Sequence, residues 1–279
     1  MSFSGVIEKI AERISRVDRL QQFSNGFTRA RNTVDARIRA LQATPAPAVP
    51  GRGILTPSVR KKYTPWSSHP VPPCDIPGMI SEEECRYYSF IGKYYTGVGE
   101  VVELGPWLGR STFYIVNGLA NNPHFRKLHV FDDFTWRADW MDKSVKPEER
   151  LPHHADFMPL FEKYTQGIRD QIVPKKRKFI TYDGNDSVEQ LAWNGGPVEI
   201  LYVDCGRHFE ANEAWWRIFQ PYLIPDVTLI VLEDWANHRE VPVKWYNQIV
   251  QWVESKGASL QLVHELAQGG IATFVFRRV

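Results

Sequence analysis

The chain has 279 residues, 43% of them hydrophobic and 24% charged, with a formal net charge of +2. That length suits one large α/β domain with an appendage, and the near-neutral balance, with no basic stripe interleaved with aromatics, excludes a nucleic-acid footprint. Three cysteines (Cys74, Cys85, Cys205) lack metal-site spacing and give no disulfide framework, and no run of about twenty apolar residues marks a membrane span. The N-terminal stretch carries Glu8 and Glu12 and no apolar core, so it does not read as a secretory signal, and a soluble cytoplasmic protein is expected.

In chain order, Val6, Ile10, Ile14, Val17 and Leu20, then Val34, Ile38 and Leu41, recur at helical spacing. They predict one or two amphipathic helices, an arm suited to homo-oligomer formation. Prolines and glycines from Pro45 to Pro57 then break regular structure, dividing an arm and linker (1–57) from a main domain (58–279). Ser81 and Glu84 form a capping box ahead of a helix over Glu82–Tyr95. Strands are predicted at Val101–Leu104, Leu128–Phe131, Lys178–Thr181, Ile200–Val203, Thr228–Leu232, Ser259–Glu265 and Ile271–Phe276. Helices are predicted at Thr112–Asn121, Phe157–Ile172, Ser187–Trp193, Glu210–Tyr222 and Val243–Lys256. This alternation predicts an α/β fold with a mostly parallel sheet covered by helices on both faces. Only residues 266–270 separate the final two strands, too few for a helical crossover, so those strands pair as an antiparallel hairpin.

The most informative segment is Glu103-Leu-Gly105-Pro106-Trp107-Leu-Gly109-Arg-Ser111, where a buried strand becomes a helix. Glycine lets a ligand approach the backbone, and the helix N-terminus offers N–H groups. The spacing is not that of a dinucleotide fingerprint or a P-loop. A wide loop headed by a carboxylate suits a cofactor with a cationic amino-acid end and no pyrophosphate.

Carboxylates recur at the predicted strand ends: Glu103, Asp132-Asp133, Asp183 (followed by Gly184), Asp204 and Glu233-Asp234. Ligands of open α/β sheets bind outside those ends. Asp132 is placed to accept bonds from ribose hydroxyls, with Asp133 the second choice, although aspartate also caps helices there. Asp183-Gly184 is either an adenine contact or a generic turn. Asp204, Glu233 and Asp234 are hard oxygen donors suited to Mg²⁺, since three converging carboxylates without a cation would repel one another; otherwise Glu233 or Asp234 faces away and the site is metal-free. His208 follows Asp204 and is either a general base or a surface residue. His153 and His154 fall in a Trp-, Asp- and His-rich stretch (137–157) expected to form a lid or surface. His238 and Arg239 line an acceptor pocket or face solvent.

The loop resembles the first motif of class I S-adenosylmethionine (SAM) methyltransferases. Taken with Phe-Asp-Asp-Phe, Tyr-Val-Asp-x-x-x-His-Phe-Glu and Leu-Glu-Asp-Trp, residues 80–279 resemble the metal-dependent macrocin and mycinamicin sugar O-methyltransferases and the cephalosporin hydroxylase-like proteins. The pattern departs from that family in Asp204-Cys-Gly-Arg-His208, read as one residue longer than the family's motif, and in Glu233-Asp234 for Asp-Asp. The resemblance implies a Rossmann-like methyltransferase fold and O-methylation of a small-molecule hydroxyl, a sugar first among acceptors. It further implies SAM held by Glu103, Gly105, Pro106, Trp107, Gly109, Ser111, Asp132, Asp133, Asp183 and Gly184. Mg²⁺ would sit on Asp204, Glu233 and Asp234, with His208 and Asp204 catalytic. Two alternatives stand beside it: a nucleotide-cofactor oxidoreductase, and a non-catalytic SAM-binding subunit using the arm as its interaction surface.

Overall fold

The computed structural model describes residues 64–235, 244–266 and 270–278. The N-terminal arm, the boundary at 57, and His238 and Arg239 lie outside the described residues. Seven strands form one sheet: β1 (Glu100–Leu104), β2 (Leu128–Asp132), β3 (Ile172–Lys176), β4 (Val198–Val203), β5 (Leu229–Leu232), β6 (Leu260–Glu265) and β7 (Ala272–Phe276). Their order is β3-β2-β1-β4-β5-β7-β6. The first five are parallel, and β7 runs antiparallel to both β5 and β6. The expected mostly parallel sheet with a closing antiparallel hairpin is therefore present. Helices α1 (Glu82–Ile91), α2 (Arg110–Leu119), α3 (Ala138–Met141), α4 (Met158–Tyr164), α5 (Phe209–Phe219) and α6 (Lys244–Lys256) connect the strands. No helix among the described residues is long and apolar enough to cross a membrane.

The central strands are legible because a parallel strand covered on both faces must be apolar throughout. Every residue of β4 is buried, Glu199 included. Its carboxylate accepts from Thr96 Oγ1 (2.8 Å) and the Val98 and Gly99 amides (2.8 and 3.1 Å), besides the Thr96 amide. A buried charge with that many donors is tolerated, and it clamps the turn that feeds β1.

The third strand lies elsewhere than predicted. Residues 172–176 pair with β2, placing Pro174 opposite Val130, whereas Lys178 makes only an isolated bridge to Gln190. Proline cannot donate to a ladder and is confined to sheet edges, and β3 is an edge. The predicted helix over Ser187–Trp193 is absent too. Leu191 and Trp193 are buried in the core instead, where Trp193 meets Phe131 edge-on at 6.2 Å. The helix predicted over Phe157–Ile172 ends at Tyr164 and resumes as a 3₁₀ segment over Gln166–Gln171. Between them Thr165 turns its hydroxyl back to Phe161 O (2.8 Å), a bond that competes with the helical ladder.

Helix α1 begins with the expected capping box: Glu84 N donates to Ser81 Oγ (3.3 Å) and Ser81 N to Glu84 Oε2 (2.6 Å). It lies so close to α2 that a Cβ on Gly118 would sit 2.1 Å from Ser89 O. Alanine is the better helix former by about 1 kcal/mol, but the clash is with backbone that cannot swing aside. Gly118→Ala is therefore expected to destabilise the protein by roughly 1–3 kcal/mol in urea unfolding. A neutral or stabilised variant would show that the two helices can separate freely.

Candidate functional site

Backbone bonds just beyond the ladders hold the strand ends level. Gly105 N donates to Phe131 O (2.9 Å), Asp204 N to Leu104 O (2.9 Å), Glu233 N to Val203 O (3.0 Å) and Arg177 N to Asp132 O (2.8 Å). A cavity of about 450 Å³ opens above these ends, with Gly105, Asp132, Asp204 and Asp234 among the residues lining it. Trp107, Arg137, Trp140, Tyr182, Arg207 and His208 contribute to its walls.

Gly105 is the closest backbone approach in the site. Its φ is +85°, and a Cβ there would lie 2.3 Å from Asp204 O, so a side chain is excluded on both counts. Pro106 O accepts from Gly109 N (2.9 Å), closing the turn. Trp107 sits at φ 45° with its ring 5.7 Å from Trp140, and its indole N–H has no hydrogen-bond partner among the described residues. Gly109 packs rather than cradles, since a Cβ would meet Thr165 Cγ2 at 2.4 Å.

Glu103, expected at the cofactor, does not line the cavity. It is 1% exposed, and its two oxygens accept from Ser111 Oγ (2.6 Å) and Thr112 Oγ1 (2.7 Å). Burial pushes its carboxyl up to about 7 against the pull of those hydroxyls. Glu103 and Ser111 thus fasten β1 to the first turn of α2, beneath the loop rather than facing a ligand.

Asp132, the last residue of β2, and Asp133 after it divide their work. Asp133 is held by both Arg137 terminal nitrogens (3.1 and 2.8 Å), by Asn185 Nδ2 (2.7 Å) and by the Thr135 amide (3.0 Å). These donors overcome its burial and keep its carboxyl below the usual range. Asp132 Oδ1 accepts from the Phe134 amide (2.7 Å), and the Trp107 backbone also bonds the carboxylate. Burial, then the neighbouring Asp133 charge, push it up to about 8. A carboxyl in that state is suited to neutral hydroxyl donors arriving from a ligand.

Asp183 and Gly184 are not at a strand end and do not line the cavity. The Asp183 carboxylate lies 2.7 Å from His154 Nε2 and 3.5 Å from His153 Nε2, and those hydrogen-bonded imidazoles lower its pKa. Gly184 (φ +80°) lies against the His154 ring. Tyr182 and Ile180, from the same segment, line the cavity wall instead. The stretch expected to be a lid is pinned at its base: Trp136 N donates to Ala155 O (2.8 Å) and Phe157 N to Phe134 O (2.9 Å).

The Asp204 and Asp234 charges reach Glu233, and that of Asp234 reaches Asp204, but the donor oxygens of the three do not all come within 4.8 Å of one another. Glu233 Oε2 accepts from Tyr88 on α1 (2.9 Å), and burial with nearby Glu84 drives its carboxyl well up. Asp234, in the left-handed region at φ 60°, carries its carboxylate to Arg207 Nε as an ion pair. Asp204 lines the cavity, its carboxyl pushed well above the usual range by burial and then by Asp234. Among the described residues, the group whose donor atoms all approach within 4.8 Å is His153, His154 and Asp183. The three carboxylates as placed therefore do not fit a metal ion. His208 occupies the N-cap of α5 and lines the cavity.

Sequence reasoning passed over Arg137, Trp140, Asn185 and Arg207. Arg137 lies four residues after Asp133, but the segment between them is not helical, so no helix spacing signalled the pair. Asn185 gave no signal either, because its two partners arrive from separate segments: its Oδ1 accepts from Tyr182 N and its Nδ2 donates to Asp133.

Residues 102–235 match the family model described as "Methyltransferase domain". The match runs from within β1 to just past the end of β5. Those strands supply the ends at which the loop, Asp132 and Asp204 meet. No curated protein matches the chain. Among solved structures, the chain is similar to a putative O-methyltransferase from Klebsiella pneumoniae (13% identity, TM-score 0.47, 72% of this chain and 82% of that one). It is also similar to SAH-bound PaMTH1 of Podospora anserina (9% identity, TM-score 0.45, 72% and 80%). A putative caffeoyl-CoA O-methyltransferase from Staphylococcus aureus gives 8% identity and a TM-score of 0.47 over 72% and 86%.

Proposed function

We propose that the protein is a SAM-dependent O-methyltransferase acting on a hydroxyl of a small molecule, with a sugar as the first acceptor class. The observation that carries this is one cavity shared by Gly105, Asp132, Asp204 and His208, all within the stretch that matches the methyltransferase family model. The bare Gly105 backbone makes room for the cofactor, Asp132 accepts bonds from its ribose hydroxyls, and the walls near Tyr182 and Ile180 flank its base. Bound there, the cofactor supplies a methyl group on a sulfonium. Trp107 and Trp140 offer flat apolar faces to the acceptor and keep water from the reacting atoms.

The acceptor oxygen forms its bond to the methyl carbon as the carbon–sulfur bond breaks, leaving a thioether, and the hydroxyl proton goes to His208. Asp204, deeper in the cavity, orients the acceptor. No step is assigned to Mg²⁺, because the expected ligands point to different partners. The homo-oligomer expected from the N-terminal arm stands as a proposal of its own.

Thermal melting with S-adenosylhomocysteine and with NAD tests the reading. A ligand at a hundred times its Kd adds about 2.7 kcal/mol to a protein it binds only when folded. A shift with S-adenosylhomocysteine and none with NAD is expected. No shift at millimolar S-adenosylhomocysteine would overturn the assignment, and a shift with NAD would favour an oxidoreductase. Asp204→Ala is expected to lower turnover at least about a hundredfold while keeping the S-adenosylhomocysteine shift, since orientation at the reacting atoms carries that much rate. Loss of the shift in that variant would show that Asp204 belongs to the cofactor's half of the site.

A further inference from the structure

We propose that Arg207 stands in place of a divalent cation at the acceptor end of the cavity, so that this site works without a metal. The inference rests on the methyltransferase reading only in calling that end the acceptor side. Its evidence is independent of it.

Arg207 and Asp234 both line the cavity, together with Asp204 and His208. Arg207 Nε pairs with Asp234 Oδ2, and the Asp234 side chain is 14% exposed while that of Arg207 is 48% exposed. The carboxylate is thus well covered, and the cation reaches it from the open side. Two adjacent carboxylates after β5 suggest a shared ion, but the backbone sends them to different neighbours. Glu233 faces α1 and accepts from Tyr88 at 2.9 Å. Asp234, at φ 60°, faces the segment that leads into α5. A metal on this end would need Asp204 and Asp234 to close on one point, and the Arg207 guanidinium already holds Asp234 there.

A guanidinium is permanently charged, planar and rich in N–H donors. It can neutralise a covered carboxylate as an ion would. It does not need a pair of neighbouring acceptor oxygens, as chelation does. The site is therefore suited to acceptors with a single hydroxyl as well as to diols.

The cluster of His153, His154 and Asp183 is a poor rival for a metal. His153 Nδ1 accepts the Ala138 amide (3.1 Å), which places the ring proton of the neutral form on Nε2, the atom turned towards Asp183. A ligating imidazole has the opposite pattern, with its second nitrogen donating.

Mn²⁺ binding to the full-length protein, followed by electron paramagnetic resonance, tests the proposal. The wild type is expected to bind Mn²⁺ no more tightly than about 1 mM, and Asp234→Asn is expected to change nothing. Arg207→Ala removes the guanidinium from beside Asp204 and Asp234 and is expected to bind Mn²⁺ at least about tenfold more tightly, a gain lost in Arg207→Ala/Asp234→Asn. Arg207→Lys keeps the charge and is expected to behave as the wild type. Far-ultraviolet circular dichroism confirms folding of each variant. Wild-type Mn²⁺ binding that Asp234→Asn abolishes would overturn the proposal, as would no gain in folded Arg207→Ala or an equal gain in Arg207→Lys. S-adenosylhomocysteine melting of the same samples reports separately on the methyltransferase reading.

Discussion

At pH 9, where its carboxyl is ionised, replacing Asp132 with alanine is expected to weaken S-adenosylhomocysteine binding by roughly 10- to 100-fold, because hydrogen bonds to a charged group contribute about 1.5–3 kcal/mol. The apo protein should unfold at nearly the wild-type denaturant concentration. Asp132 is half-buried, and its carboxylate takes backbone donors, the Phe134 amide at 2.7 Å among them. Asp133→Ala is expected to do the reverse. It strands the Arg137 guanidinium and the buried Asn185 amide, which Asp133 holds at 2.8 and 2.7 Å. Removing one partner of a buried pair costs about 3 kcal/mol or more. Isothermal titration with S-adenosylhomocysteine and urea unfolding of both variants separate the two effects. If Asp133→Ala lost affinity at full stability while Asp132→Ala kept its affinity, the ribose assignment would belong to the other residue.

The second large effect is on pH. The carboxyls of Asp132 and Glu103 are held up to about 8 and about 7, chiefly by burial. In the unfolded chain both fall near 4. Between those values the folded protein binds more protons than the unfolded one, so stability falls as pH rises from about 4 to 8. The ligand-free melting temperature is therefore expected to drop by roughly 5 °C or more between pH 6 and pH 9, at 2–4 °C for each kcal/mol. Asp133 and Asp183 have lowered values, and what they contribute is lost only in stronger acid.

Ligand binding should show the opposite slope. If the ionised form of Asp132 takes the ribose hydroxyls, S-adenosylhomocysteine affinity rises about tenfold between pH 7 and pH 9. Asp132→Asn should flatten that rise. A melting temperature that held constant or climbed over this range would mean that these carboxyls are better solvated than their burial implies.

Much of this architecture could be read from residue order alone. Strands β1, β2, β4 and β5 are apolar runs because both faces of a parallel sheet are covered, and the short link 266–270 forces the final pair to turn back on itself. Gly105 was legible because a strand-to-helix turn needs a residue without a side chain, and Asp132 because it ends an unmistakable strand. These are local facts, carried by a few consecutive residues.

What the sequence could not determine depends on neighbours distant in the chain. Strand β3 contains Pro174, which reads as a breaker until the strand is known to lie at the sheet's edge. Glu103 reads as a ligand-facing carboxylate until Ser111 and Thr112 are seen to take both its oxygens. Asp183 reads as a strand end until the two histidines close on it. Glu233 and Asp234 are adjacent in sequence, and only the fold sends one to Tyr88 on α1 and the other to Arg207 before α5. Residue order determined which groups of carboxyl chemistry reach this end of the sheet. The tertiary structure decided which of them face the cavity, because a side chain's direction is set by backbone dihedrals and by the partners that arrive from other elements.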